Sequence, residues 1–193
     1  WIEKDTNAAT LGEMVFGAAR GCQDFVYIAV GTGLGGGAVV RGQLVNGANA
    51  FAMEIGHLVI VPSGRTCRCG LRGCAEMMIS GVGLLAAAHE YLPVSPSSLG
   101  LHGNFSTGDI LDAAHHGDPL AHRVLSEAAS ALGTIFAVCA GLFNPSMIVL
   151  GGGLGLAAAE YLLPKAQQEL QSRILPPSYE ALQIVSSQVV HSA

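Results

Sequence analysis

Apolar residues along this chain fall into short β-branched or aromatic runs and into longer stretches with helical spacing. The short runs predict β-strands at residues 25–30, 38–40, 147–150 and 182–190. The longer stretches, in which Ala, Leu, Val and Met recur every three to four positions, predict helices at residues 7–19, 81–92, 119–142 and 157–174. Strands that alternate with long helices are typical of the α/β class. We therefore expect an α/β fold, as one domain or as one domain and part of a second.

Polar, glycine-rich and proline-rich segments separate these elements. Residues 43–52 and 93–103 predict loops, and residues 54–61 predict a short apolar strand or turn. Thr107 is a candidate cap for a further helix. Asn144-Pro145 ends the longest predicted helix, and the prolines at 176–177 follow the last one.

Composition and charge narrow the class of protein. With 193 residues and 50% apolar content, the chain is long enough to bury a core. Only 12% of residues are charged and the net charge is −5, so we expect no direct contact with nucleic acid. No uninterrupted apolar run approaches the roughly 20 residues needed to cross a bilayer, so we expect no membrane contact. Neither an initiator Met nor a signal-peptide layout is present at the start, and we expect the numbering to begin inside a longer protein.

Three of the five cysteines lie within eight positions, unlike the spread framework of a secreted disulfide-bonded domain. A reducing cytoplasm and a structural zinc site fit this pattern better. One imidazole and three thiols within eighteen positions form a Cys₃His set, from His57, Cys67, Cys69 and Cys74. Two alternatives stay open, namely free cysteines beside a core histidine, or a disulfide inside the cluster. Cys22 and Cys139 stand alone and are interpreted as packing residues.

Two glycine clusters follow predicted strands. Residues 31–37 read Gly-Thr-Gly-Leu-Gly-Gly-Gly, and residues 151–153 are three consecutive glycines. Glycine lets backbone N–H groups approach a phosphate because no Cβ intervenes, although such turns also serve simple close packing. Neither cluster has the Gly-Lys-Ser/Thr ending of a P-loop. Together they favour a nucleotide cleft of another kind.

Few carboxylates lie close to these motifs. Phosphoryl transfer to a hydroxyl needs a base near the attacking oxygen, and the candidates are Asp5, Glu13, Glu54 and Glu76. A metal-held loop would fix Glu54 and Glu76 rigidly enough for hydrogen bonds to neighbouring hydroxyl groups of a ligand. The alternative is that these side chains are solvated surface charges, and the other histidines are interpreted as ordinary surface or core residues.

The motifs in combination resemble the ROK family of sugar kinases and repressors. The resemblance rests on Glu-x-Gly-His at 54–57, Cys-x-Cys-Gly-x-x-Gly-Cys-x-Glu at 67–76 and Gly-Thr-Gly-x-Gly-Gly-Gly at 31–37. The opening at residues 3–13, Glu-Lys-Asp-Thr-Asn-Ala-Ala-Thr-Leu-Gly-Glu, is similar to the catalytic stretch of that family. This resemblance implies an actin-like ATPase (ribonuclease H-like) fold, with residues 1–193 forming mainly the C-terminal lobe around a small zinc-binding loop.

The resemblance also implies roles for individual residues. Asp5 matches the catalytic base, which takes the proton from the sugar hydroxyl. Glu54, His57 and Glu76 match the sugar contacts, with His57 also holding the zinc. Two turns match those that bind ATP and its phosphates in the family, namely Gly31, Thr32 and Gly33, and Gly151, Gly152 and Gly153. ATP and Mg²⁺ are implied in the complete enzyme, and a homodimer or homotetramer is implied as its assembly.

Two departures from the family pattern bear on function. Lys4 stands where the family usually has an Asn that contacts sugar, and an Asp-x-Gly-Gly-Thr phosphate motif is absent. We therefore expect a fragment that lacks the N-terminal lobe and the last helix and is inactive by itself. The expected activity of the parent protein is ATP-dependent phosphorylation of glucose or a related hexose. N-acetylmannosamine and fructose are alternative candidates for the sugar. The alternatives are the sugar-sensing domain of a repressor and a non-catalytic, zinc-stabilised oligomerisation fragment.

Overall fold

The centre of the fold is a mixed five-stranded β-sheet, seen in a computed structural model that describes residues 4–101 and 103–189. The strands are β1 (Phe25–Val30), β2 (Leu34–Val40), β3 (Gln43–Leu44), β4 (Met147–Gly151) and β5 (Gln183–Ser186). Their order across the sheet is β3-β2-β1-β4-β5. The pairs β1–β2 and β2–β3 are antiparallel, whereas β1–β4 and β4–β5 are parallel. The predicted α/β class is thereby confirmed.

Helices cover both faces of the sheet. They are α1 (Asp5–Phe16), α2 (Glu76–Ile79), α3 (Gly81–Tyr91), α4 (Thr107–His115), α5 (Pro119–Phe143), α6 (Gly153–Ala157), α7 (Ala159–Gln171) and α8 (Pro176–Glu180). Short 3₁₀ turns lie at Ile55–His57, Leu92–Val94 and Ser98–Leu101. One face of the sheet packs against α1 in a small core, and the other packs against the remaining long helices in the main core.

The alternation of side chains along β1 explains the two cores. Phe25 and Tyr27 point to the α1 side, whereas Val26 and Ile28 point into the main core. All four side chains are fully buried, as expected of a central strand covered on both faces.

Glycines in β2 let α1 lie directly on the sheet. A Cβ at Gly35 would come within 2.7 Å of the Thr6 side chain, and one at Gly37 would collide with Thr10. These two glycines of the 31–37 cluster therefore serve close packing, which leaves Gly31 and Gly33 for the turn between β1 and β2. Close packing is thus confirmed for this part of the cluster.

The long helix α5 is the centre of the main core. By length and composition this helix could cross a membrane, yet 61% of its most apolar window is buried inside the protein, as in the core helix of a globular domain. Asp118 caps its N-terminus by accepting hydrogen bonds from the N–H groups of Leu120 and Ala121. Burial alone would raise the pKa of Asp118, but these and other hydrogen bonds, from the Ser97 and Ser98 segment, lower its pKa to about 2.

Close packing of α5 against α7 depends on Gly133, and we expect Gly133→Ala to lower the free energy of unfolding by about 2 kcal/mol. A Cβ there would lie 2.5 Å from Cβ of Glu169 and 2.6 Å from the carbonyl oxygen of Ala166, so the helices must move apart. Denaturant unfolding measures the change.

The matched control for this substitution is Gly141→Ala in the same helix. A Cβ at Gly141 meets nothing within 4 Å. The free energy of unfolding of this variant is expected to rise by about 0.5–1 kcal/mol, because alanine loses less backbone entropy in a helix than glycine does. Equal stabilities of the two variants would contradict the close approach of α5 and α7.

The predicted elements agree with the structure in kind, and differ mainly at their ends. The strands at 25–30 and 147–150 and the helices at 81–92 and 119–142 are confirmed to within one residue. The predicted helix 7–19 ends at Phe16, because Gly17 adopts an extended conformation. The predicted strand 182–190 is shorter, at Gln183–Ser186, and its position 190 lies outside the described residues.

Some predictions of helix ends were wrong. The cap of α4 is Ser106 instead of Thr107, because Ser106 and Asp109 form a reciprocal capping box. The predicted helix 157–174 is confirmed as α7, Ala159–Gln171, which is shorter at both ends, and the short helix α6 before it was not predicted. The prolines at 176–177 begin α8, since proline is accepted in the first turn of a helix.

Candidate functional site

The four predicted metal ligands converge on one point. Their ligand atoms, one each from His57, Cys67, Cys69 and Cys74, all lie within 4.8 Å of one another. Sγ of Cys67 is 3.7 Å from Nδ1 of His57, and Sγ of Cys69 is 3.6 Å from Sγ of Cys74. These separations suit a tetrahedral ion, since Zn–S bonds are about 2.3 Å long and Zn–N bonds about 2.0 Å. The cluster could hold a metal ion, and its donor set is one that zinc prefers.

Backbone pairing within the loop brings these ligands together. Val59 pairs with Cys74 as an antiparallel bridge, and the N–H groups of Ile60 and Val61 both donate to the carbonyl oxygen of Gly73. Gly73 has φ 78°, and a Cβ on it would collide with the carbonyl oxygen of Val61. Glycine is required at this position because an L side chain is both strained and blocked there.

Burial differs among the three thiols. Cys67 and Cys74 are buried, whereas Cys69 is exposed. Burial raises the pKa of the Cys74 thiol to about 12, and hydrogen bonding to the backbone at Leu71 lowers the pKa of Cys69. A buried thiol of this kind ionises when a bound cation compensates its charge.

A cavity beside the cluster gathers residues from distant parts of the sequence. This first cavity has a volume of about 450 Å³. Its lining includes the predicted site residues Asp5, Thr32, Glu54, His57 and Glu76. Charged groups that converge on a pocket of this size are typical of a site for a small polar molecule.

Glu76 is a buried carboxylate between the metal cluster and the turn after β1. Only 4% of the residue is exposed. Its Oε2 accepts a hydrogen bond from the Leu34 N–H at 3.2 Å, and its Oε1 lies 3.8 Å from Sγ of Cys67 and 3.7 Å from Nε of Arg68. Glu76 is therefore not the solvated surface charge of the alternative interpretation.

Glu54 also lines the first cavity, and although it is exposed it is paired with Lys4. Nζ of Lys4 is 2.6 Å from Oε1 of Glu54 and donates to the carbonyl oxygen of Ala52 at 3.1 Å. Ala50 and Met53, on the same segment, both have φ 63°, a left-handed conformation that costs an L residue about 1–2 kcal/mol. Such strain is frequent where a protein positions a functional side chain.

The turn between β1 and β2 separates the first cavity from a second one. The second cavity has a volume of about 560 Å³, and Gly31 and Thr32 line both cavities. The carbonyl oxygens of Gly31 and Thr32 accept hydrogen bonds from the N–H groups of Gly81 and Val82 at 2.9 and 3.3 Å. The start of α3 thereby anchors the turn, and the two cavities share it as a wall.

The three glycines after β4 occupy three different environments. Gly151 is buried at the end of β4, where a Cβ would lie 2.5 Å from Oη of Tyr27. Gly152 lines the first cavity and Gly153 lines the second. The structure therefore brings Gly152 and Gly153 to the cavities, and it places Gly151 in strand packing.

Asp5 is the first residue of α1 and is exposed to the first cavity. Its Oδ1 accepts a hydrogen bond from the Thr6 N–H at 2.7 Å. A smaller cavity connects Asp5 with Tyr27. Burial, together with the negative charges of Glu13 and Asp5, raises the pKa of Tyr27 to about 12, so this phenol stays neutral at physiological pH.

Glu13 does not belong to the site. Its carboxylate is buried and accepts hydrogen bonds from the Ala18 N–H at 2.7 Å, the Val189 N–H at 3.0 Å and the Ser187 hydroxyl. Burial raises its pKa, but these hydrogen bonds outweigh that effect and lower it. Glu13 therefore fastens the segment after β5 to α1.

Sequence reasoning missed Arg68 as a cavity residue, and it missed the contact of Lys4 with Glu54. Arg68 lines the first cavity from between two metal ligands, and Lys4 pairs with Glu54 fifty positions away. Arg68 had a usable signal, because a residue between two ligands of one ion must lie near the cluster. The Lys4 contact had none, since no local pattern relates it to Glu54.

Comparison with known proteins agrees with this geometry. The ROK family model matches residues 1–193. A glucokinase from Thermotoga maritima is 34% identical over 100% of this chain and 62% of its own length. The chain thus spans less than two thirds of that relative.

Solved structures include both a regulator and a kinase. A ROK family transcriptional regulator, a homologue of the E. coli Mlc protein, has a TM-score of 0.89 and 33% identity over 97% of this chain and 48% of its own. A ROK family glucokinase from Streptomyces griseus, in complex with glucose and AMPPNP, has a TM-score of 0.82 and 33% identity over 97% of this chain and 62% of its own. The likeness confirms the predicted actin-like ATPase fold.

Proposed function

This chain belongs to the ROK family, and on that premise we propose that it forms the sugar-binding part of a protein that phosphorylates a glucose-like hexose with ATP. The observation that carries the proposal is the first cavity, where Asp5, Glu54, His57 and Glu76 converge although they are up to 71 positions apart. A glucokinase of similar fold has been seen with glucose and an ATP analogue, which supports this assignment.

The two cavities suit two substrates. In our proposal the sugar occupies the first cavity, where Glu54 and Glu76 accept hydrogen bonds from its hydroxyl groups. The nucleotide occupies the second cavity, which Gly153 lines, and its phosphates extend toward Gly152 at the first cavity, with the turn at Gly31, Thr32 and Gly33 between the substrates. Mg²⁺ would accompany the phosphates, whose charge it neutralises in phosphoryl transfer.

Asp5 is the proposed base. Its carboxylate is exposed to the sugar cavity, where it can accept the proton of the attacking hydroxyl as the oxygen bonds to the γ-phosphorus and ADP leaves. A structural zinc held by the four-ligand cluster would keep the loop that carries His57 and Glu76 in place. With four protein ligands, that ion would have no open position for the reaction.

Calorimetric titration with glucose tests the proposal. We expect glucose to bind with a Kd between about 1 μM and 1 mM, the usual range for enzymes and their substrates, and AMPPNP to bind at a separate site. Binding of AMPPNP in the presence of saturating glucose shows whether the two sites are distinct. Absence of heat with glucose at about 10 mM would contradict the proposal.

A sugar-sensing domain of a repressor is the second candidate. The TM-score of 0.89 to a ROK transcriptional regulator favours it. In that case glucose or another hexose binds, AMPPNP does not, and any contact with DNA comes from outside this segment. A cytoplasmic location and a homodimeric or homotetrameric assembly are proposed for both candidates.

A further inference from the structure

The ion pair between Lys4 and Glu54 lies inside the cavity proposed for the sugar. Nζ of Lys4 is 2.6 Å from Oε1 of Glu54; the Lys4 side chain is partly buried, and the Glu54 side chain is 42% exposed. A second contact, from Nζ to the carbonyl oxygen of Ala52 at 3.1 Å, holds the ammonium over the segment that carries Glu54. Lys4 also directly precedes Asp5, so the pair is fixed at the start of α1.

We propose that Lys4 is a specificity-determining residue that occupies one carboxylate oxygen of Glu54, so that this carboxylate recognises one sugar hydroxyl instead of two. This inference rests on the proposed function, because it concerns how the same cavity selects its sugar. The ligand class is a neutral hexose, and the cavity tolerates hexoses that lack or invert one of the hydroxyls near Glu54.

The chemistry of a carboxylate supports this reasoning. A carboxylate with both oxygens available can accept hydrogen bonds from two neighbouring hydroxyls, and such charge-assisted bonds are among the stronger ones in proteins. An ammonium at 2.6 Å from Oε1 competes with a hydroxyl for that oxygen. The sugar then gains a strong hydrogen bond from Oε2 alone, and removal of the hydroxyl that faces Oε1 weakens its binding little.

Glu76, another carboxylate of the cavity, is also engaged. Oε2 of Glu76 accepts the Leu34 N–H, and its Oε1 lies 3.7 Å from the exposed Arg68 side chain. The cavity therefore carries Lys4 and Arg68 against three carboxylates, those of Asp5, Glu54 and Glu76. This balance gives an added anionic group on the sugar no net attraction, which is why a neutral hexose is the expected ligand.

Calorimetry tests this inference by measuring a penalty for each hydroxyl. The penalty is the factor by which an analogue that lacks the hydroxyl binds more weakly than glucose. Glucose and each of its monodeoxy analogues are titrated into the wild-type protein and into Lys4→Met, which has a side chain of similar length without charge. For wild type we expect the analogue that lacks the hydroxyl facing Oε1 to bind within about threefold of glucose. For Lys4→Met we expect the same analogue to bind about tenfold more weakly than glucose, since a hydrogen bond to a charged group is restored.

The matched control is Lys165→Met, the same change at the only other lysine of the sequence, whose Nζ donates to Ser126 on the α5–α7 pair. Its penalties are expected to equal those of wild type. Lys4→Gln is a second variant that keeps a polar side chain, and it serves if Lys4→Met does not fold. Lys4→Gln is expected to give a larger penalty than wild type for the hydroxyl that faces Oε1.

Unchanged penalties in both Lys4 variants would overturn the inference while leaving the proposed function in place. A uniform weakening of every sugar, with no hydroxyl singled out, would also overturn it, since that result indicates a structural role alone. Absence of heat for every sugar with every protein, wild type included, would overturn the proposed function and this inference together.

Discussion

The Cys74→Ser protein is expected to retain no zinc and to lose glucose binding, whereas the wild-type protein carries about one zinc ion per chain. Cys74 is fully buried and packs with Cys67 and Met77 in a small core of its own. A hydroxyl replaces the thiolate poorly as a zinc ligand, so three ligands remain. The loop then loses the constraint that holds His57 and Glu76 beside the cavity.

The expected effect is large because binding of structural zinc is coupled to folding. In small zinc domains the metal contributes on the order of 10 kcal/mol, and here its four ligands come from both ends of the loop. Metal analysis of protein purified without added zinc, and glucose titration of the same samples, measure both consequences.

Cys22→Ser is the matched control, because Cys22 lies outside the cluster, near Ser146, and makes no contact with the cavity. It is expected to keep its zinc and its affinity for glucose. Wild-type protein without zinc, or a Cys74→Ser protein that retains it, would contradict the zinc assignment. Zinc in wild type without glucose binding would favour a structural fragment.

The Asp5→Asn protein is expected to transfer phosphate to glucose about 10²- to 10⁴-fold more slowly than wild type, with the affinity for glucose changed little. Asparagine preserves the size of the side chain and can still be hydrogen-bonded to the Thr6 N–H, but it cannot accept the hydroxyl proton. The rate is measured as ADP release in the full-length native protein, and the affinity is measured by calorimetry.

Asp112→Asn is the control, because Asp112 is exposed on α4 and lines neither cavity. It removes the same charge and is expected to leave the rate unchanged. A full rate in Asp5→Asn would show that another group takes the proton. Wild-type protein that binds glucose but transfers no phosphate would favour the sugar-sensing candidate.

Local patterns predicted most of the secondary structure correctly. Strand β1 and helix α5 were predictable because their apolar periodicity reflects burial that recurs along the element itself. The ends were less predictable, since a boundary depends on single contacts. Ser106 caps α4 only because Asp109 reaches back to it, and α1 ends where Gly17 becomes extended.

The candidate metal cluster was also predictable, for a different reason. Three of its ligands lie within eight positions, so spacing alone brings Cys67, Cys69 and Cys74 close together. The loop then needed only Gly73 and its backbone pairing to bring His57 into reach.

Contacts between distant residues decided the rest. The sequence by itself determined the α/β class, the ligand cluster and the resemblance to ROK proteins, because each depends on residues that are near one another along the chain. Only the tertiary structure decided that Glu13 is buried against the segment after β5, that Gly35 and Gly37 admit α1, and that Lys4 pairs with Glu54. Such pairings follow from how the elements pack in space, which no local periodicity encodes.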